Sequence, residues 1–244
     1  MFAELLATFL VGIVASFIGA ASGGGGLISL PALMFLGLPP QVAVATHKVG
    51  VLGVMMKIRR FHRAGLVDYG VVMRAALFAL VGSYIGSTTF LAIPNVAVEK
   101  LVGVALLVML FLTIRKKEAA KHAAPRRNMR YAGYAAFFFV GFASAFFAGI
   151  FALFATYVLL HFFGKTFLES AGTRSVIGLA TLFVSIAVFG ANGIINWPFG
   201  LALLGGNALG SHLGVEHALK KGDEWAKKVY IIVVGVAAIM LLAR

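Results

Sequence analysis

The sequence predicts an all-α polytopic membrane protein made of two inverted-topology repeats, with broken or membrane-dipping short helices in each half. Three observations predict it. Of 244 residues, 61% are hydrophobic and 12% charged, with a mean hydropathy of +0.99, whereas soluble chains average about 25% charged residues. Apolar runs recur along the whole chain with short basic segments between them, as membrane topology requires. Short elements of the first half also return in the same order in the second.

The same composition removes several function classes. The net charge of +13 is spread over short loops rather than gathered on one face, so nucleic acid is not expected as a partner. Zero cysteines exclude disulfides and thiolate metal sites. Residues 1–4 lack the positive n-region of a cleavable leader, so none is expected. There is no Gly-Lys-Ser/Thr phosphate loop, no His-Glu-x-x-His and no Gly-x-Ser-x-Gly, so no enzyme is expected, and no cofactor or metal.

The first run, residues 5–22, is long enough to cross a membrane and stops at Gly23, Gly24, Gly25 and Gly26, framed by Gly19 and Ser22. Each glycine gives up about 1 kcal/mol of helix preference relative to alanine, so the helix is expected to break here. Freed amides at the start of the next helix suit an anion, while the competing use of such small residues is close helix packing. Residues 27–38, with Pro31 in their early turns, would rise only about 18 Å against a hydrocarbon core of roughly 30 Å. Such a run reads as half of a hairpin or broken helix covered by protein or a wet cavity. Residues 41–58 carry Thr46, His47 and Lys48 about a third of the way in, and runs at 66–92 and 96–115 complete the half. The series then repeats at 131–148, 150–163 (again short), 171–191, 198–217 and 228–243.

The repeat is visible in the residues. Thr173 lies 127 positions after Thr46, and Phe163-Gly164-Lys165 follows Leu36-Gly37-Leu38 at the same offset. Gly193-Ile194-Ile195-Asn196-Trp197 resembles Gly65-Leu66-Val67-Asp68-Tyr69. Leu204-Gly205-Gly206 with Gly210-Ser211 resembles Leu80-Val81-Gly82 with Gly86-Ser87, and Val234-Gly235-Val236 resembles Val102-Gly103-Val104. Charge sets the orientation. The loop with Lys57, Arg59, Arg60 and Arg63 and the central stretch with Arg115, Lys116, Lys117, Lys121, Arg126, Arg127 and Arg130 read as cytoplasmic, whereas the counterpart of the first loop, residues 192–197, has no charge and reads as external. Residues 1–115 are therefore the first transmembrane repeat, 116–130 a cytoplasmic basic linker and 131–244 the second, inverted repeat, with both termini outside.

Two stretches carry the chemistry. A lysine or arginine deep in a membrane costs roughly 2.5 to 3.5 kcal/mol, so such groups face a wet cavity or a partner. His47 and Lys48 follow Thr46, and Arg174 and Ser175 follow Thr173, with Arg174 in the position that matches His47. Arginine offers a planar fork of donors for an oxyanion, and threonine hydroxyls and glycine amides complete coordination without adding charge. Consecutive helical positions point about 100° apart, so at most two of Thr46, His47 and Lys48 can face one cavity. Lys48 could instead snorkel to an interface, and Arg174 could anchor beside Glu169. Asn207, in the position matching Ser83, is a further candidate for the pathway. Asp68 and Asn196 read as caps of the helices that follow them, with Pro198 in the first turn of the second.

These motifs resemble the TauE/SafE family of sulfite and organosulfonate exporters. The likeness rests on the glycine break with Pro31, on Ala43-Val44-Ala45-Thr46-His47-Lys48, on Gly65-Leu66-Val67-Asp68 and on the second element around Gly172-Thr173-Arg174. His47 stands where that resemblance implies Asn or Ser, and the second glycine element, Gly141 with Ala148-Gly149, is reduced. The resemblance implies a multi-pass permease of the bacterial inner membrane for small sulfur-containing anions. The expected function is a secondary transporter working by alternating access at a midplane site. Alternatives are a passive anion channel on the same scaffold or a proton- or cation-coupled carrier. Expected substrate contacts are Gly23, Gly24, Gly25, Gly26, Thr46, His47, Lys48, Thr173, Arg174, Ser175 and Asn207. The expected partners are a small anion and the lipid bilayer, with homo-oligomerisation open.

Overall fold

A computed structural model describes residues 1–22, 25–98, 127–146 and 148–242. Its described elements are α1 (Phe2–Ser22), α2 (Gly26–Phe35), α3 (Pro40–Val54), a 3-10 turn (Met55–Lys57), α4 (Ile58–Arg63), α5 (Tyr69–Leu91), α6 (Arg127–Phe146), α7 (Ala148–Phe163), α8 (Phe167–Ala191) and α9 (Trp197–Leu242). Most of the run at 96–115 and most of the basic linker lie outside the described residues, as do Gly23 and Gly24.

Helix starts follow their caps. Asp68 accepts from the Val71 amide at 3.0 Å and opens α5. α8 begins at Phe167, ahead of the apolar run at 171, because Thr166 and Glu169 form a reciprocal capping box. Asn196 accepts from the Phe199 amide at 3.4 Å at the head of α9, with Pro198 in its first turn. The run at 228–243 falls beyond a break in the chain's last helical stretch: α9 is two helices that meet at Gly222, whose φ of 77° and ψ of −171° are non-helical and suit glycine. Gly65 and Gly193, both at φ 68°, close α4 and α8 with the same pair of backbone bonds, Gly65 to His62 and Leu66 to Phe61 in one, Gly193 to Gly190 and Ile194 to Phe189 in the other.

Small residues set the packing. A Cβ at Gly206, Gly210 or Gly214 of α9 would overlap the Phe9, Ile13 or Phe17 carbonyl of α1. Both series advance by four, so the two helices run parallel in close contact. α5 and α6 repeat this: Gly82 and Gly86 meet the Phe138 and Phe142 carbonyls, and Gly141 meets that of Ala79. Buried polar groups join the remaining long helices. Asn207 Nδ2 donates to the Gly50 carbonyl of α3 at 2.9 Å, and Ser83 Oγ donates to the Thr181 carbonyl of α8 at 3.1 Å.

The outward faces are apolar. Leu6, Leu10, Val14 and Phe17 of α1, Met73, Leu77, Val81 and Tyr84 of α5, and Leu201, Leu209 and Leu213 of α9 are exposed at helical spacing. Such a belt suits lipid, where backbone polar groups are satisfied within the helices. Among the described residues, Phe2–Ala20, Tyr69–Leu91 and Phe167–Ala191 are long and apolar enough to cross a bilayer. The 10 residues of α2 and 16 of α7 rise only about 15 and 24 Å, shorter than the roughly 30 Å core.

Candidate functional site

The pairs α1–α2 and α6–α7 border one partly open space. α1 is described to Ser22 and α2 from Gly26, α6 to Phe146 and α7 from Ala148. Between these helices and the middles of α3 and α8 lies a cavity of about 80 Å³. One water occupies roughly 10–15 Å³ on that scale, so the space holds a small hydrated solute. Gly19, Gly25, Gly26 and Ser29 line it from the first pair, and Ser144, Phe151 and Ala152 from the second. α3 contributes His47 and Lys48, α8 contributes Arg174 and Ser175, and α9 contributes Asn207.

The cations are committed to this space. Lys48 is 2% exposed and Arg174 3%, so neither snorkels to an interface. The Lys48 ammonium donates to the Ser144 carbonyl of α6. His47 Nε2 meets Ser29 Oγ at 2.7 Å, and that hydroxyl donates to the Gly25 carbonyl at 3.1 Å. His47 Nε2 is thereby the donor, and Nδ1 has no hydrogen-bond partner among the described residues. Gly25 is fixed by packing, since a Cβ there would stand 2.6 Å from the Ala15 carbonyl oxygen.

One cavity cation escaped the sequence reading. Lys57, assigned there to the exposed basic loop, is 3% exposed, lines the cavity and donates to the Ala20 carbonyl at 3.2 Å. On an unbroken α-helix it would fall about 180° from Lys48, and the overwound turn Met55–Lys57 brings it to within about 120°. The accepting carbonyls, Ser144 and Ala20, belong to α6 and α1, the helices that precede α7 and α2. The two lysines thus make the same kind of bond, one to each of these helices.

The threonines sit outside the cavity and do something else. Thr46 Oγ1 accepts from the Asn196 amide at 2.9 Å, and Thr173 Oγ1 accepts from the Asp68 amide at 3.1 Å. Each hydroxyl pins the loop that starts a long helix of the other half of the chain. Gly172 permits the second contact, because a Cβ there would overlap the Leu66 carbonyl. At this loop Asp68 also pairs with Lys165 at 2.7 Å, beside a surface depression of about 330 Å³ that Glu169 and Thr173 help to line. Partial burial pushes the Asp68 carboxyl up, but the hydrogen bonds from Lys165 and the Val71 amide outweigh it and hold it below its ordinary value.

Among the described residues, no carboxylate lines the cavity. Glu4 pairs with the amino terminus, Glu169 caps α8 and Glu216 pairs with Arg60 at 3.4 Å. His212 and Ser211 belong to packing: His212 Nε2 meets Arg60 at 2.9 Å, and Ser211 Oγ donates to the Gly53 carbonyl at 3.4 Å.

Comparison with known proteins places the chain among membrane transporters. Residues 8–241 match the family described as Sulfite exporter TauE/SafE. The chain belongs to this family. It is 28% identical over 232 residues to a protein of Haemophilus influenzae named "Probable membrane transporter protein", covering 94% of this chain and 91% of the relative. It is 25% identical to "Probable membrane transporter protein ORF9" of Sinorhizobium sp, over 96% of this chain and 91% of the relative. It is also 24% identical to "Probable membrane transporter protein YfcA" of Escherichia coli K12, over 96% and 88%. No solved structure matches it. This TauE/SafE chain is a membrane transporter.

Proposed function

We propose that the chain is a carrier of small oxyanions, sulfite or organosulfonates, binding them in the cavity between α3 and α8 and releasing them by alternating access. The observation that carries this reading is a water-scale space, bordered by the pairs α1–α2 and α6–α7, into which Lys48, Lys57 and Arg174 project. Burying the Lys48 and Lys57 ammonium groups is costly, and a guest anion offsets that cost. Amides at the start of α2 add donors, and Ser175 and Asn207, whose side chains donate to the Ala171 and Gly50 carbonyls, add polar wall.

Two inverted repeats, 1–115 and 131–244, account for movement. The matching loops at Gly65 and Gly193, the crossed threonine bonds and the two lysine-to-carbonyl bonds support that relation. Rocking of one half against the other would expose the cavity first to one side and then to the other. On the positive-inside distribution the basic linker at 116–130 lies in the cytoplasm and both termini are outside. The resemblance to TauE/SafE permeases makes the membrane the bacterial inner membrane.

Counterflow in proteoliposomes tests the reading. The rate of labelled sulfite entry saturates and is accelerated by sulfite inside, and Lys48→Ala and Arg174→Ala reduce it to the level of empty liposomes at equal insertion. Continuous conductance without saturation would make the protein a channel, and full activity in both variants would remove the site.

A further inference from the structure

The charge of the guest is legible from the groups around the cavity. Lys48 and Lys57 line it together with Arg174, and no Asp or Glu does among the described residues. Each lysine reaches a backbone carbonyl of a helix that lines the cavity, Lys48 that of Ser144 and Lys57 that of Ala20. The two lysines, when protonated, bring about +2 to the wall, with Arg174 beside them.

We infer, on the anion-carrier reading above, that the preferred guest is a compact dianion and that Lys57 sets this preference over monoanions. A monoanion leaves at least one buried positive charge uncompensated, and uncompensated charge in a low-dielectric space is costly. A zwitterion fares worse, because its ammonium meets the two lysines and, among the described residues, no carboxylate. The volume of about 80 Å³ adds a size limit, well below the roughly 300–1,000 Å³ of drug-sized pockets.

Titration calorimetry on the purified full chain in detergent decides this with two matched pairs. Sulfate and methanesulfonate share a tetrahedral shape and differ by one charge; sulfoacetate and taurine share a two-carbon sulfonate and differ at the other end. The dianion of each pair binds at least tenfold tighter, and Lys57→Met brings sulfate toward parity with methanesulfonate while Lys57→Arg keeps the preference. Parity in either pair for the unmodified protein overturns the dianion inference and leaves the anion carrier standing. Absence of binding by all four probes overturns both. The wild-type comparison stands alone should the variants fail to fold.

Discussion

The two places where the halves of the chain cross are built alike but charged differently. Thr46 holds the Asn196 amide on one side and Thr173 holds the Asp68 amide on the other, and the held residue caps α9 or α5. Among the described residues, only the second crossing has an ion pair, Asp68 to Lys165. The threonine bond is common to both crossings, and the ion pair is an addition at one. On the carrier reading proposed above, that pair makes the Asp68 side the more firmly held.

The largest difference is expected from the capping residues themselves. Asp68→Ala removes a cap and strands Lys165, lowering stability by about 2 kcal/mol, whereas Asn196→Ala costs about 1 kcal/mol or less. Thermal unfolding in detergent compares them, and equal losses would deny the asymmetry. Next come Thr173→Val and Thr46→Val, each leaving a loop amide unpaired at about 1 kcal/mol. Their near equality in the same assay is what a shared element predicts. Unequal losses would assign the hydroxyls different tasks.

Smaller still is Lys165→Met, worth under about 1 kcal/mol because the pair is partly exposed. Its sharper readout is access. The chain has no cysteine, so Ser175→Cys places a unique thiol at the cavity. Lys165→Met is expected to raise labelling of that thiol severalfold from the side of the Asp68 loop, and not from the other. Acid should act in the same direction. The Asp68 carboxyl sits below its ordinary value when folded, so its contribution is complete above the ordinary aspartate range and fades as pH falls through the lowered value. Labelling from that side therefore rises on acidification in the protein with Asp68 and stays flat in Asp68→Asn.

Much of the fold could be read from the chain because its signals are local. Glycine runs, capping residues and apolar length act within a few positions, and they located the starts of α2 and α5 and the loops at Gly65 and Gly193. The cavity was legible in part: His47, Lys48, Arg174, Ser175 and Asn207 do converge with Gly25 and Gly26. Thr46 and Thr173 were the right residues with a different placement, since spacing alone does not say which helical face meets the cavity. Lys57 was hidden by its neighbours. A lysine beside Arg59, Arg60 and Arg63 reads as a solvated loop, and only the 3-10 turn at Met55–Lys57 swings it inward. Its one sequence trace is that it ends an apolar run instead of standing among the arginines.

The central claim is that buried cations from both halves hold one anion. Sulfite binding to the purified protein by titration calorimetry measures this without any assumption about movement. Lys48→Ala and Arg174→Ala are each expected to weaken binding by at least tenfold while Arg60→Ala, outside the cavity, leaves it unchanged. Unaltered affinity in both cavity variants would contradict the account.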